Sequence, residues 1–182
     1  MTETGPVAGP IVELKPHARA SVNVADTLTS DWSVSTRVTS DKALVCERTT
    51  YWNSQGGSRE TAHSSIGATA TAKTWYIAEG STGRDDAGSF ETWIMVTNPG
   101  PGAARVRLSY CTPGAVKVGP SFVLEAGARR SVRVADTVPD EWSVSTSVES
   151  TDGGIVAEYA TFWYNSADRR QCAHGSIGVP GD

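Results

Sequence analysis

Residues able to do nucleophilic or acid–base chemistry occur at two similar places in this chain. His63 stands beside Ser64 with Glu47 upstream, and His174 stands two residues from Cys172 with Glu158 upstream. A histidine that can take a proton from a hydroxyl or thiol is the minimum for covalent catalysis. No Gly-x-Ser-x-Gly elbow, oxyanion loop or well-placed acid partner accompanies either histidine. Because the two fall at equivalent points of a repeated segment, structural hydrogen bonding is their expected role. The sequence therefore predicts no catalytic residue and no enzyme. Glu47 and Glu158 lie on mostly apolar stretches, where a carboxylate needs a partner or exposure, and pairing with an arginine is the expectation.

Asp85 and Asp86, in GSTGRDDAGSF, could offer oxygens to calcium, but two adjacent carboxylates lack the alternating ligand spacing of calcium loops. A solvated loop is expected, with no metal and no cofactor. Three cysteines, Cys46, Cys111 and Cys172, are too few for a disulfide framework and lack paired zinc spacing. In an oxidising compartment Cys111 and Cys172 could close a long loop, leaving Cys46 a buried thiol; otherwise all three are unpaired. Six tryptophans and five tyrosines are many for 182 residues. Trp75, Tyr76, Trp93, Trp163 and Tyr164 could form a platform that stacks on sugar rings, although alternation along strands would place about half of them in a core.

The net charge of −4, from 16 basic and 20 acidic residues, argues against nucleic acid or an anionic membrane as partner. Phosphate-binding loops and amphipathic helices are absent, and no apolar run approaches the ~18 residues of a membrane-spanning helix. The opening MTETGPVAGP has neither a basic nor an apolar export region, so no signal peptide is expected in this chain.

The elements that position these residues come from an internal repeat. Residues 9–40 match residues 119–150 at an offset of 110 with no gap, and 18 of the 32 positions are identical. One inserted residue in Thr151–Gly154 shifts the offset to 111, after which LVCERTTYW matches IVAEYATFW and AHSSIG matches AHGSIG. Met1 then falls opposite Cys111, so the first copy, 1–67, has no counterpart of Trp75–Tyr110 and lacks its opening strands. Residues 68–74 read as a linker and 75–178 as a complete copy.

The apolar period is two: Val106, Leu108 and Tyr110 alternate with Arg105, Arg107 and Ser109, and Trp142, Val144, Thr146 and Val148 alternate with serines. Asn98-Pro-Gly-Pro-Gly102 can only be a turn. Eight strands are expected in the complete copy, near 75–79, 90–97, 103–110, 121–125, 129–135, 142–149, 154–163 and 173–178, with the last five retained in the first copy. Short strands at this spacing predict an all-β, antiparallel, immunoglobulin-like β-sandwich of about one and a half tandem repeats, with a barrel the lesser alternative.

The run TWYIAEGSTG, FETWIMVTNPG, RVRLSY, VADTVPDEWSVSTSV and AHGSIG resembles the immunoglobulin-like repeats found in tandem in secreted and cell-surface proteins of actinobacteria and related bacteria. The resemblance covers nearly the whole chain. It implies a sandwich in an extracellular or cell-surface setting as part of a longer protein, and it brings no catalytic residues. Two departures are the absent export signal and the missing WY-x-AEG and FETW portions of the first copy. Met1 sits where such repeats can hold an internal methionine, so the chain could be the tail of a longer array.

Losing three strands should expose core side chains and unpaired edges, so a homo-oligomer buried through residues 1–67 is expected. Two roles follow: a noncatalytic structural or adhesive module of a surface protein, presenting loops such as Ser81–Ser89, or a carbohydrate-binding module that uses exposed aromatics on a cell-wall polysaccharide. A hydrolase at His63 or His174 is the remote third.

Overall fold

The computed structural model describes residues 1–52, 61–165 and 171–181. Two strands form in the first copy, β1 (Glu47–Trp52) and β2 (Thr61–Ile66). The second copy and its tail contribute β3 (Thr74–Ile77), β4 (Arg84–Asp85), β5 (Gly88–Thr97), β6 (Ala104–Cys111), β7 (Val116–Leu124), β8 (Arg129–Arg133), β9 (Ser145–Ser150), β10 (Val156–Asn165), β11 (Gln171–Ile177) and β12 (Val179–Pro180).

These make two facing antiparallel sheets, ordered β12-β3-β9-β6-β7 and β11-β10-β5, with β4 and β8 sharing the free side of β5. The fold is the expected all-β sandwich. Strand β6 shows why: Ala104, Val106, Leu108 and Tyr110 are buried while Arg105 and Arg107 face solvent, where they meet Asp152 at 3.3 Å and Glu149 at 2.6 Å. Leu108, Ile94, Val96, Val132, Val148 and Ile155 fill the space between the sheets. Each fully buried side chain of this size contributes about 1.5–3 kcal/mol.

Polar side chains hold the turns. Asn98 is buried, donates through Nδ2 to the carbonyls of Gly102 (2.8 Å) and Leu124 (2.9 Å), and accepts the Gly100 N–H at 3.0 Å. The Gly80–Gly83 loop is pinned at both ends. Thr92 Oγ1 donates to the Ser81 carbonyl at 2.7 Å, and Thr82 Oγ1 donates to the Val138 carbonyl at 2.6 Å. Gly83 lies against the Trp142 ring so closely that a Cβ would run into it, which favours glycine there. Ser81–Gly83 is thus a packed part of the sandwich, and only Arg84–Ala87 stands exposed.

The strands follow the expectation with three differences. β7 begins at Val116 rather than 121, and β4 and β12 were not anticipated. β9 begins at Ser145 rather than 142, because the preceding backbone serves the loop instead of a ladder: Glu141 accepts from Thr82 N–H at 2.8 Å and Val144 donates to Gly80 at 2.9 Å.

The larger correction concerns the first copy. Of the five strands expected there, only the final pair forms among the described residues, and residues 6–46 contain one 3-10 turn and otherwise irregular chain. A ladder needs a neighbour, and β3, β5 and β6 pair only with strands of the second copy and its tail. They are not shared between the copies.

Candidate functional site

The first copy touches the second along one seam, on the outer face of the sheet that holds β8, β5, β10 and β11. Residues directly opposite in register share a face. Arg129 therefore stands beside Thr97, and Met95 beside Glu158. Two pieces of the first copy lie over this row. Ser35 Oγ meets Thr97 Oγ1 at 2.7 Å and accepts from Arg129 Nε at 3.1 Å, and Arg129 N–H donates to the Thr2 carbonyl at 3.1 Å. Met1 and Ser35 exchange backbone bonds, with the terminal ammonium donating to the Ser35 carbonyl at 2.9 Å and Ser35 N–H returning to the Met1 carbonyl at 3.0 Å. Arg37 reaches the Pro99 carbonyl at 3.2 Å.

The second piece is the β1–β2 hairpin, which lies against β11. Arg48 pairs with Glu158 at 3.1 Å, and the His63 ring packs on Gly175, where a Cβ would lie 3.2 Å from His63 Cε1 and Nε2. Gly175 is the counterpart of Ser64, and a Cβ there would also lie 2.6 Å from the Tyr159 carbonyl, so the backbone of the neighbouring strand demands glycine at this position and the His63 ring packs over it.

Charge within the seam is tightly held. Arg129 is 4 % exposed, and burial lowers its pKa, opposed by Glu158 and Glu3. Its Nη1 makes no hydrogen bond among the described residues. Burial also lowers the pKa of His63, with Arg48 adding to the effect, and that of the Met1 ammonium, with Arg129 adding.

The residues considered for chemistry are not assembled. His63 and Ser64 point to opposite faces of β2, and Ser64 Oγ meets Thr49 Oγ1 at 2.9 Å. His174 is exposed and stands edge-on to Tyr159 at 5.9 Å, while the Tyr159 hydroxyl donates to Glu79 at 3.4 Å. The expected arginine partner of Glu158 is Arg48, supplied by the other copy; Glu47 is exposed. Asp85 Oδ1 accepts the N–H groups of Ala87 and Gly88, which closes its own turn. Among the described residues no group of three or more His, Cys, Asp or Glu could hold a metal. Cys46, Cys111 and Cys172 are free thiols; Cys111 and Cys172 lie on different sheets.

The five aromatics do not form one platform. Trp75 is 2 % exposed and its Nε1 donates to the Ile155 carbonyl at 2.8 Å, so it is a core residue and no stacking surface. Tyr76 is exposed on the opposite sheet. Trp93 is half-buried on the outer face and bonds Glu91 Oε1 at 2.6 Å, while Trp163 shares a face with Phe90, opposite to that of Tyr164.

No protein-family model matches the sequence, and no curated protein matches it. Several solved structures are similar, among them the following two. Thermotoga maritima 1070 aligns with a TM-score of 0.51 at 15 % identity, over 61 % of this chain and 96 % of its own. The Anabaena sensory rhodopsin transducer aligns with a TM-score of 0.41 at 22 % identity, over 51 % of this chain and 99 % of its own. The first likeness supports the fold alone.

Proposed function

We propose that this chain is a noncatalytic structural and adhesive module of a bacterial surface or secreted protein, in which sandwiches act as spacers and the first copy is the joining surface. One observation supports this reading above the others: apolar residues whose counterparts fill the core of the complete copy stand open in the first. Leu14 is 45 % exposed against 4 % for Leu124, and Val38 is 55 % exposed against 0 % for Val148. A row of such side chains is what an interaction surface looks like before it meets its partner.

The test is the mass of the full chain in solution, measured by light scattering across a concentration series. A joining surface gives masses above the 19.2 kDa of one chain as concentration rises, and Val24→Asp and Trp32→Ser return the mass to that of one chain. A single-chain mass at every concentration for all three proteins would overturn the reading.

A further inference from the structure

The contacts across the seam leave one buried charge half used. Arg129 is 4 % exposed, and of its guanidinium nitrogens only Nε has a partner, donating to Ser35 Oγ at 3.1 Å. The terminal edge, Nη1 and Nη2, makes no hydrogen bond among the described residues, and Nη1 is sealed from solvent. No carboxylate among them forms an ion pair with it: Glu158 is held by Arg48 at 3.1 Å, and Glu3 acts on Arg129 only from farther off. A guanidinium taken out of water is costly unless an opposite charge and further hydrogen bonds compensate it, and its fork is suited to that pairing.

We infer that the Nη1 and Nη2 edge of Arg129 is a binding site for a carboxylate. Two parallel N–H groups at that edge match the two oxygens of one carboxylate. The neighbouring hydroxyls add a third donor. Ser35 Oγ and Thr97 Oγ1 stand 2.7 Å apart, so one hydroxyl hydrogen bridges them and the other is left over in the seam. A cleft of about 430 Å³ opens alongside, lined by Glu3, Leu124, Glu125, Ala128, Arg129 and Ser131. Ser131 stands two residues along β8 and shares the outer face with Arg129. Glu3 and Glu125 at this cleft set the selectivity, because each repels an anion in proportion to its charge. A flat ligand with one negative charge is admitted more readily than a phosphate dianion.

The site joins the two copies. Arg129 and Thr97 come from the complete copy, Ser35 comes from the first, and Arg129 N–H bonds the Thr2 carbonyl at 3.1 Å. A carboxylate seated on the guanidinium therefore fixes the side chain on which Ser35 rests, and it tightens the hold of Thr2 and Ser35 on the sheet. A ligand that binds the closed seam and not the opened one lowers the opened population by the factor 1 + [L]/Kd. The site is separate from the open apolar residues of the first copy, and it does not rest on the joining role.

The experiment titrates sodium acetate into the isotope-labelled full chain at constant ionic strength, with chloride making up the balance, and follows amide shifts and hydrogen exchange. Saturable shifts are expected at Ser35, Thr97 and Arg129, with exchange at the Ser35 and Arg129 amides slowed about elevenfold once acetate reaches ten times its Kd. Phosphate should bind more weakly. Arg129→Gln should abolish the response. Because that change also unseats Ser35, Glu3→Gln serves as a second variant: it keeps the guanidinium, removes a repelling charge and should tighten acetate binding about two- to fivefold. A capped glutamyl peptide separates the sources of the carboxylate. Tighter binding than acetate assigns the site to a carboxylate carried on a polypeptide, and weaker binding assigns it to a free organic acid. Amides unmoved by acetate in both the parent and Glu3→Gln, equal shifts in Arg129→Gln, or phosphate binding more tightly than acetate would overturn the inference.

Discussion

The two copies of the repeat share more than half of their aligned residues over 9–40 and 119–150, and yet only one of them is a sandwich. Their turns agree to within a few degrees: the residue before the 3-10 turn has φ −83° and ψ 117° in one copy and φ −80° and ψ 122° in the other. Their hairpins agree in register, with Glu47 opposite Ile66 as Glu158 is opposite Ile177. What differs is every element whose hydrogen bonds come from far along the chain. Turns and hairpins close bonds between near neighbours, and a strand in the middle of a sheet borrows both its ladders from elsewhere. The first copy keeps what is local and loses what is borrowed.

Paired substitutions sharpen that contrast most strongly. Val148→Asp buries a carboxylate among apolar side chains and is expected to cost at least about 4 kcal/mol, enough to unfold the sandwich, whereas Val38→Asp should stay within about 0.5 kcal/mol. Urea melts of the two proteins read the difference. Equal losses would mean that residues 6–46 belong to a packed core in solution.

Asn98→Ala comes next, because it removes a buried amide that holds three carbonyls and one N–H. A loss of about 2–4 kcal/mol is expected, since each buried group left without a partner costs about 1–3 kcal/mol. A thermal midpoint within a degree or two of the parent would show that water replaces the side chain.

The seam should respond more weakly. Ser35→Ala strands Arg129 Nε and the Thr97 hydroxyl and is expected to cost about 1–3 kcal/mol, read as faster exchange at Arg129 N–H with the core amides unchanged. Acid should loosen the hairpin by the same route. His63 titrates below its ordinary 6.5, so the folded seam favours the neutral ring. That contribution is complete above pH 6.5 and is lost as pH falls through the lowered folded value. Protection across β2, taken relative to the intrinsic exchange rate at each pH, should therefore fall on acidification, and His63→Gln should flatten the dependence.

Tyr110→Phe has the smallest expected effect at neutral pH. Its hydroxyl is buried with no hydrogen bond among the described residues, so deleting it should leave stability unchanged or raise it by up to about 1 kcal/mol. Burial pushes Tyr110 up to about 12 from 10.0, so the folded state holds its proton longer than the unfolded chain does. Stability should fall between pH 10 and 12 in the parent, and less in Tyr110→Phe.

The sandwich was legible in the sequence because apolar alternation in β6 and β9 and the Gly/Pro turns are local signals. The strands wrongly expected at 11–15, 19–25 and 32–39 show the limit of the same method. Val22, Val24 and Val38 alternate as well as their counterparts do, and alternation reports a face that could be buried, not the presence of a neighbour to bury it. The seam was illegible for a related reason. Arg48, Ser35 and Arg129 are polar residues far apart in sequence, and only the fold brings Ser35 to Arg129 and Arg48 to Glu158. Trp75 and Trp93 likewise read alike as aromatic strand residues and differ because one faces the core and the other the outer surface.

The central claim is that the first copy is an open half of a sandwich. Amide hydrogen exchange of the full chain at low micromolar concentration tests it most directly, comparing Leu14 with Leu124, Val22 with Val132 and Val38 with Val148. The account predicts rates near those of an unstructured chain at the first member of each pair and strong protection at the second. Matching protection within the pairs would contradict it, and would mean that the first copy finds its missing strands within its own chain.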